Sequence, residues 1–138
     1  MFVYPMTGSP FNQKLINHEE EWNAIPGACG CTSQVCGYRD TLTRFNEIGV
    51  MVYGLSNNSS DYQVEAAKRL EIEYELLSDE NMKFANSLRL PTFRWQDLQL
   101  LKRVTLIFKN NKVVKVFYPI FPPSKDSGEV FKWLLKNR

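Results

Sequence analysis

"GACGCTSQVCGYRD", residues 27–40, holds all three cysteines of this 138-residue chain, Cys29, Cys31 and Cys36. Thiols gathered this closely staple no distant parts of a chain together, and an odd number leaves one unpaired. A disulfide framework therefore does not fit, and metal or redox chemistry does. Where the cluster falls in the order of structural elements decides between them.

Downstream of it, Val35, Tyr38, Leu42, Phe45 and Ile48 recur at steps of three and four from Thr32. That spacing predicts a helix, with Gly49 as its stop signal. Upstream, "MFVYP" is a short β-type run ended by Pro5. Residues 6–27 carry Gly, Ser, Pro, Asn and the run Glu19-Glu20-Glu21, which predicts a long loop with a helical turn near Trp22. A loop of that length inside a compact domain is usually functional or mobile.

Beyond Gly49, "VMVYGLS" predicts a buried strand and "SSDYQVEAAKRLEI" a helix opened by Ser and Asp caps. "YELLS" is a short strand, and "NMKFANSLRL" a helix that Pro91 ends. "LLKRVTLIFKNNKVVKVFYPIF" predicts a β-hairpin turning at Asn110 and Asn111, which tolerate positive φ. "SGEVFKWLLKNR" closes the chain as an amphipathic helix, with Val130, Phe131, Leu134 and Leu135 as its apolar stripe. Alternating strands and helices followed by an antiparallel hairpin imply a mixed central sheet with helices on both faces. The fold class is α/β, a thioredoxin-like three-layer sandwich, in one domain over residues 1–138.

Composition narrows the partners. A hydrophobic share of 43% and a charged share of 23% are ordinary globular values. The net charge of +2 is spread without a basic block, so no nucleic acid is expected. "VTLIF" and "FYPIF" are too short to span a bilayer, so no membrane is expected. "MFVYPMTGSP" lacks the pattern of a secretory signal, and a reducing, cytoplasmic setting is expected.

Open α/β sheets carry chemistry at the carboxyl ends of their strands, where the next helix begins. The cysteines lie at such a junction. Unpaired N–H groups and a partial positive charge in the first helical turn favour a thiolate, so the pKa of Cys31 is expected to fall. Cys31 is the nucleophile candidate on position, with the Thr32 hydroxyl beside it. Cys29 stands outside the helix start. In an intact helix Cys36 points roughly 140° from Cys31 and lies about 7.5 Å further along the axis. A disulfide needs Cα atoms within about 7 Å and converging Cβ vectors, so that bond requires local unwinding. A structural zinc would need a fourth ligand, and His18 in the upstream loop is the single histidine. No metal and no cofactor are expected, and a solvated position is expected for His18. Packing as a small hydrophobe suits Cys36 alone, not the cluster.

"GCTSQVCGYRD" resembles the signature of peroxiredoxins of the bacterioferritin-comigratory, or PrxQ, type. "FVYP", "VYGLS", "LLSDE" and "KRVTLIF" match further family segments in the same order, from Phe2 onward. The resemblance implies thiol peroxidase chemistry without metal, haem or flavin. It implies Cys31 as peroxidatic cysteine, Cys36 as resolving cysteine, Arg103 as the arginine that stabilises the thiolate, and Pro5 as the shielding proline. Four features depart from the pattern. Ala28 stands where the family has a threonine, and Thr7 could fold back into that role. Twenty-five residues separate Pro5 from Cys31. Cys29 has no counterpart. The usual N-terminal β-hairpin is not apparent, which would leave a sheet edge open to a second copy.

The implied cycle is attack of Cys31 on a hydroperoxide, a sulfenic acid, an intramolecular disulfide with Cys36, and reduction by a thioredoxin-like partner. A monomer or homodimer is expected; Trp22 and "FYPIFPP" are candidate pocket walls, with core or loop packing the stronger expectation for each. The alternatives are a thiol–disulfide oxidoreductase or redox sensor with weak peroxidase activity, and a non-enzymatic binding domain.

Overall fold

Adjacent side chains of a strand face opposite sides of its sheet, and the first three apolar residues use this to organise the molecule. In the computed structural model, which describes residues 1–138, Phe2 and Tyr4 enter one core cluster and Val3 another. Strand β1 (Phe2–Val3) pairs parallel with β2 (Tyr53–Ser56) and antiparallel with β6 (Val104–Lys109). Outside these lie β3 (Glu75–Ser78), parallel to β2, and β7 (Lys112–Phe117), antiparallel to β6. The order β3-β2-β1-β6-β7 is the mixed sheet expected of a thioredoxin-like sandwich. Both sides of β1 are paired, so the open edges belong to β3 and β7.

Helices α3 (Cys31–Glu47) and α6 (Asp126–Lys136) cover the Phe2 face. The expected helical register is observed: Val35, Tyr38 and Phe45 are buried, and Leu42 and Ile48 pack partly buried beside them. In α6, Val130 and Phe131 are buried, but Leu135 is 47% exposed, so the apolar stripe is narrower than expected. On the Val3 face, Ala85 of α5 (Lys83–Leu88) packs with Leu55, Leu101 and Leu106. Helix α4 (Ser60–Arg69) is capped by Ser59 as expected, its hydroxyl accepting the Tyr62 N–H at 3.2 Å. Asn110 and Asn111 take φ of 53° and 62°, the geometry of a tight hairpin turn. No helix is long and apolar enough to cross a membrane.

Two segments differ from expectation. Residues 6–27 are not one loop but carry α1 (Gln13–Asn17) and α2 (Glu19–Ala24). Asn12 caps α1 by accepting the Leu15 N–H at 3.0 Å, and the three glutamates lie in the first turn of α2, where the helix dipole favours them. Residues 92–101 form a separate hairpin, β4 (Thr92–Trp95) with β5 (Leu98–Leu101), so Leu100 and Leu101 do not belong to the strand that carries Val104. The two segments explain each other. Trp22 packs edge-on against Trp95 at 5.0 Å, Gln96 donates to Glu21 at 2.6 Å, and Lys14 pairs with Asp97. Short helices of this length are marginal alone, and the hairpin supplies the surface they bury.

The sheet closes tightly where β2 crosses the core. A Cβ placed on Gly54 would lie 2.7 Å from Leu76 Cδ2 and 2.9 Å from Phe2 Cζ. Gly54→Ala is expected to destabilise the fold by about 1–3 kcal/mol, the usual cost of overpacking. An unchanged urea midpoint would contradict this close approach.

Candidate active site

Gly30 turns the chain into α3 with φ of 102°, a left-handed conformation that favours glycine. A side chain here would also strike Pro123, 2.8 Å from the Cβ position. Its carbonyl starts the helix by accepting the Gln34 N–H at 3.0 Å. Cys31 is thereby the first residue of α3, at the carboxyl end of β1 where Pro5 and Met6 leave the sheet. Its sulfur is 2% exposed and accepts the Met6 N–H at 3.4 Å and an Nη2–H of Arg103 at 3.3 Å. The thiol itself faces the Ala28 carbonyl at 3.6 Å.

Arg103 precedes β6 and reaches under the start of α3, 4% exposed. Nη2 donates to the carbonyls of Gly27, Ala28 and Cys29 at 3.0, 3.2 and 3.0 Å as well as to the sulfur. Nη1 donates to Gln34 Oε1 at 2.6 Å. One guanidinium thus holds the loop before the helix, the first turn of the helix and the thiol in fixed relation. Behind it, Gln34 Nε2 donates to Asp126 Oδ2 at 2.9 Å. The same oxygen accepts from Tyr38 and Thr105, both at 2.7 Å. Gln34 and Asp126 were not singled out in the sequence. A polar residue three positions after Cys31, on the face shared with Val35 and Tyr38, was the available signal.

Burial pushes the Cys31 thiol up from its ordinary pKa. The Arg103 charge, the Met6 N–H and the hydrogen bond from Arg103 pull it down without reversing the shift. The expected fall is therefore not met in this closed geometry. Desolvation of a fully enclosed sulfur outweighs the donors around it.

Thr32 is half-buried against Gly8. Pro5 is fully enclosed, and so is Thr7, whose hydroxyl has no hydrogen-bond partner while its carbonyl accepts from Tyr62 at 2.5 Å. Cys29 is exposed, Cys36 half-buried in α3, and all three thiols are free. A cleft of about 290 Å³ opens at the sulfur, lined by Met6, Leu15, Ile16, Trp22, Cys29 and Thr32 among others. Trp22, which also packs in a core cluster with Trp95 and Leu100, is a wall of it. "FYPIFPP" is not, and its Phe121 is 89% exposed. His18 is exposed at the junction of α1 and α2, its Nδ1 2.9 Å from the Lys14 carbonyl. No group of three His, Cys, Asp or Glu side chains converges to hold a metal ion.

Residues 23–117 match the AhpC/TSA family. The chain is 34% identical over 106 residues to the chloroplastic peroxiredoxin Q of Sedum lineare, covering 76% of this chain and 56% of that protein. To the chloroplastic peroxiredoxin Q of Arabidopsis thaliana it is 33% identical, covering 76% and 48%. The chain thus spans about half the length of the curated relatives it matches. Among solved structures, peroxidoxin BcpB from Mycobacterium tuberculosis superposes with a TM-score of 0.72 at 19% identity, over 99% of this chain and 79% of that one. Peroxiredoxin Q from Xanthomonas campestris gives 0.73 at 16%, over 99% and 77%. These share the thioredoxin-like fold, and the match over the segment holding Cys29, Cys31, Cys36 and Arg103 shows that the chain belongs to the AhpC/TSA family.

Proposed function

We propose that this chain is a thiol-dependent peroxidase acting on hydrogen peroxide and organic hydroperoxides. The observation that carries the reading is the Cys31 sulfur at the first turn of α3, held by Arg103 and the Met6 N–H beside a cleft. The Cys31 thiolate attacks the terminal oxygen of ROOH, the O–O bond breaks, and RO⁻ leaves and takes a proton as ROH. Arg103 and the N–H groups at the helix start stabilise the charge moving onto the leaving oxygen. Thr7 and Thr32 supply hydroxyls to the bound peroxide, Thr7 in place of the threonine that Ala28 replaces, and Pro5 shields the site. The Cys36 thiol then condenses with the Cys31 sulfenic acid, releasing water and forming a disulfide, which a thioredoxin-like dithiol reduces. Cys29 is an additional thiol at the mouth of the cleft and a minor alternative partner for Cys31. We place the protein in the cytoplasm, where three free thiols stay reduced, as a monomer or homodimer.

A thiol–disulfide oxidoreductase or redox sensor is the second reading. It is favoured by Ala28, which stands where the family has a threonine to hydrogen-bond the peroxide.

The purified protein is expected to consume peroxide with thioredoxin, thioredoxin reductase and NADPH. Cys31→Ser should reduce this to background, and Cys36→Ser should allow a single fast oxidation without turnover. Steady-state activity in the Cys31 variant would overturn the assignment of roles.

Arg103→Met removes the cation that opposes burial. The thiolate is the reacting form, so alkylation of Cys31 should rise with pH, and the variant's profile should move to higher pH. Oxidation by peroxide should slow by about a hundredfold, the scale of losing one oxyanion donor. An unchanged profile would remove Arg103 from the mechanism.

A further inference from the structure

Arg103 and Asp126 are both enclosed, at 4% exposure each, and neither takes part in any of the four ion pairs of the molecule. One amide joins them. Gln34 Oε1 accepts from the guanidinium at 2.6 Å, and Gln34 Nε2 donates to the carboxylate at 2.9 Å. Only this orientation of the amide suits both neighbours, because a guanidinium only donates and a carboxylate only accepts.

Gln34 lies between Cys31 and Cys36, in the part of α3 that must unwind for their sulfurs to meet. Its side chain is 1% exposed, so both hydrogen bonds are made away from water and both break if that turn leaves the helix. Tyr38, one turn further on, donates to the same carboxylate oxygen. Asp126 is fixed in turn by Thr105 of β6 and by its place at the start of α6.

We propose that Gln34 and Asp126 form a latch on the first turns of α3 and set the rate of the disulfide step. They are positioning residues: neither touches the sulfur, and both act by keeping the Cys31–Cys36 segment helical. The latch prolongs the Cys31 sulfenic acid. It therefore sets how much of that species condenses with Cys36 and how much meets a second peroxide and becomes the sulfinic acid, with release of ROH. This inference rests on the peroxidase reading for its chemistry and on the hydrogen bonds alone for its mechanics.

The test uses the full chain and two variants, Gln34→Met, which keeps length but loses both strong bonds, and Asp126→Asn, which removes the charge but keeps an acceptor. Stopped-flow oxidation separates sulfenic acid formation from disulfide formation. Mass spectrometry gives the ratio of sulfinic acid to disulfide at rising hydrogen peroxide. Native-state hydrogen exchange follows the amides of residues 32–36 in the reduced protein. For Gln34→Met, disulfide formation is expected to quicken about tenfold, as losing a hydrogen bond to a charged group would give. Exchange at 32–36 should rise without a matching rise in the sheet, and the sulfinic fraction should fall. Asp126→Asn should do the same by a smaller factor. The double variant should fall well short of the product of the two effects, because both act on one linkage.

Disulfide formation at the parent rate together with unchanged exchange at 32–36 would overturn the latch, and so would effects that simply multiply. If the parent protein forms no sulfenic acid, the peroxidase reading fails instead. The latch then stands or falls on the local exchange and its non-additivity.

Discussion

A guanidinium out of water must have its charge answered by the groups around it, and Arg103 meets that constraint in a way that shapes the whole site. Three consecutive carbonyls, from Gly27, Ala28 and Cys29, converge on one of its nitrogens. Those carbonyls can converge only if the chain turns sharply, and Gly30 at φ of 102° makes that turn before α3 begins. Removing a charged group from a buried hydrogen-bonded set leaves its partners unsatisfied, which is costlier than losing a surface pair. The loop, the helix start and the start of β6 are therefore held by one side chain. The sulfur that also accepts from it has its place fixed as a result.

The fold was legible in the sequence where periodicity and turn chemistry were strong. The Val35–Tyr38–Phe45 spacing, the Ser59 cap and the Asn110–Asn111 turn each carry a local cause, and each is found as read. Residues 6–27 and 92–101 were not legible, and for a shared reason. Neither α1 nor α2 is long enough to show helical periodicity, and the β4–β5 pair is a separate sheet that the flanking apolar run "LLKRVTLIF" obscures. Each segment is stabilised by the other, through Trp22 on Trp95 and Gln96 on Glu21. Contacts between residues about 75 positions apart leave little trace in local sequence pattern.

At the site, position alone marked Cys31, and the family resemblance marked Arg103. What pattern could not supply was the layer behind them. Gln34 is one polar residue beside an apolar helix face, and Asp126 lies just before the last helix read from sequence. Only the packing of α6 against α3 makes them neighbours. The direction of the Cys31 shift was missed on the same ground. Helix position is visible in sequence, but the closure of α2 and the β1–α1 segment over the sulfur is not.

That closure sets two demands against each other. Enclosing Cys31 excludes water and so strengthens every electrostatic contact it makes, including the one with Arg103. The same enclosure penalises the charged sulfur, while the intact helix keeps Cys36, half-buried on α3, from reaching Cys31. No single static arrangement meets both demands. On the proposed peroxidase reading, a segment that is helical around the thiolate and leaves the helix once the sulfur carries oxygen meets them in turn. Under this reading the placement of the cysteines is a consequence of α3 geometry. A second thiol one residue nearer would approach the same face of the helix, and one further along would need a longer stretch to unwind. The free energy of opening is then set by the side chains between the two cysteines, and Gln34 is the one with buried polar bonds to lose.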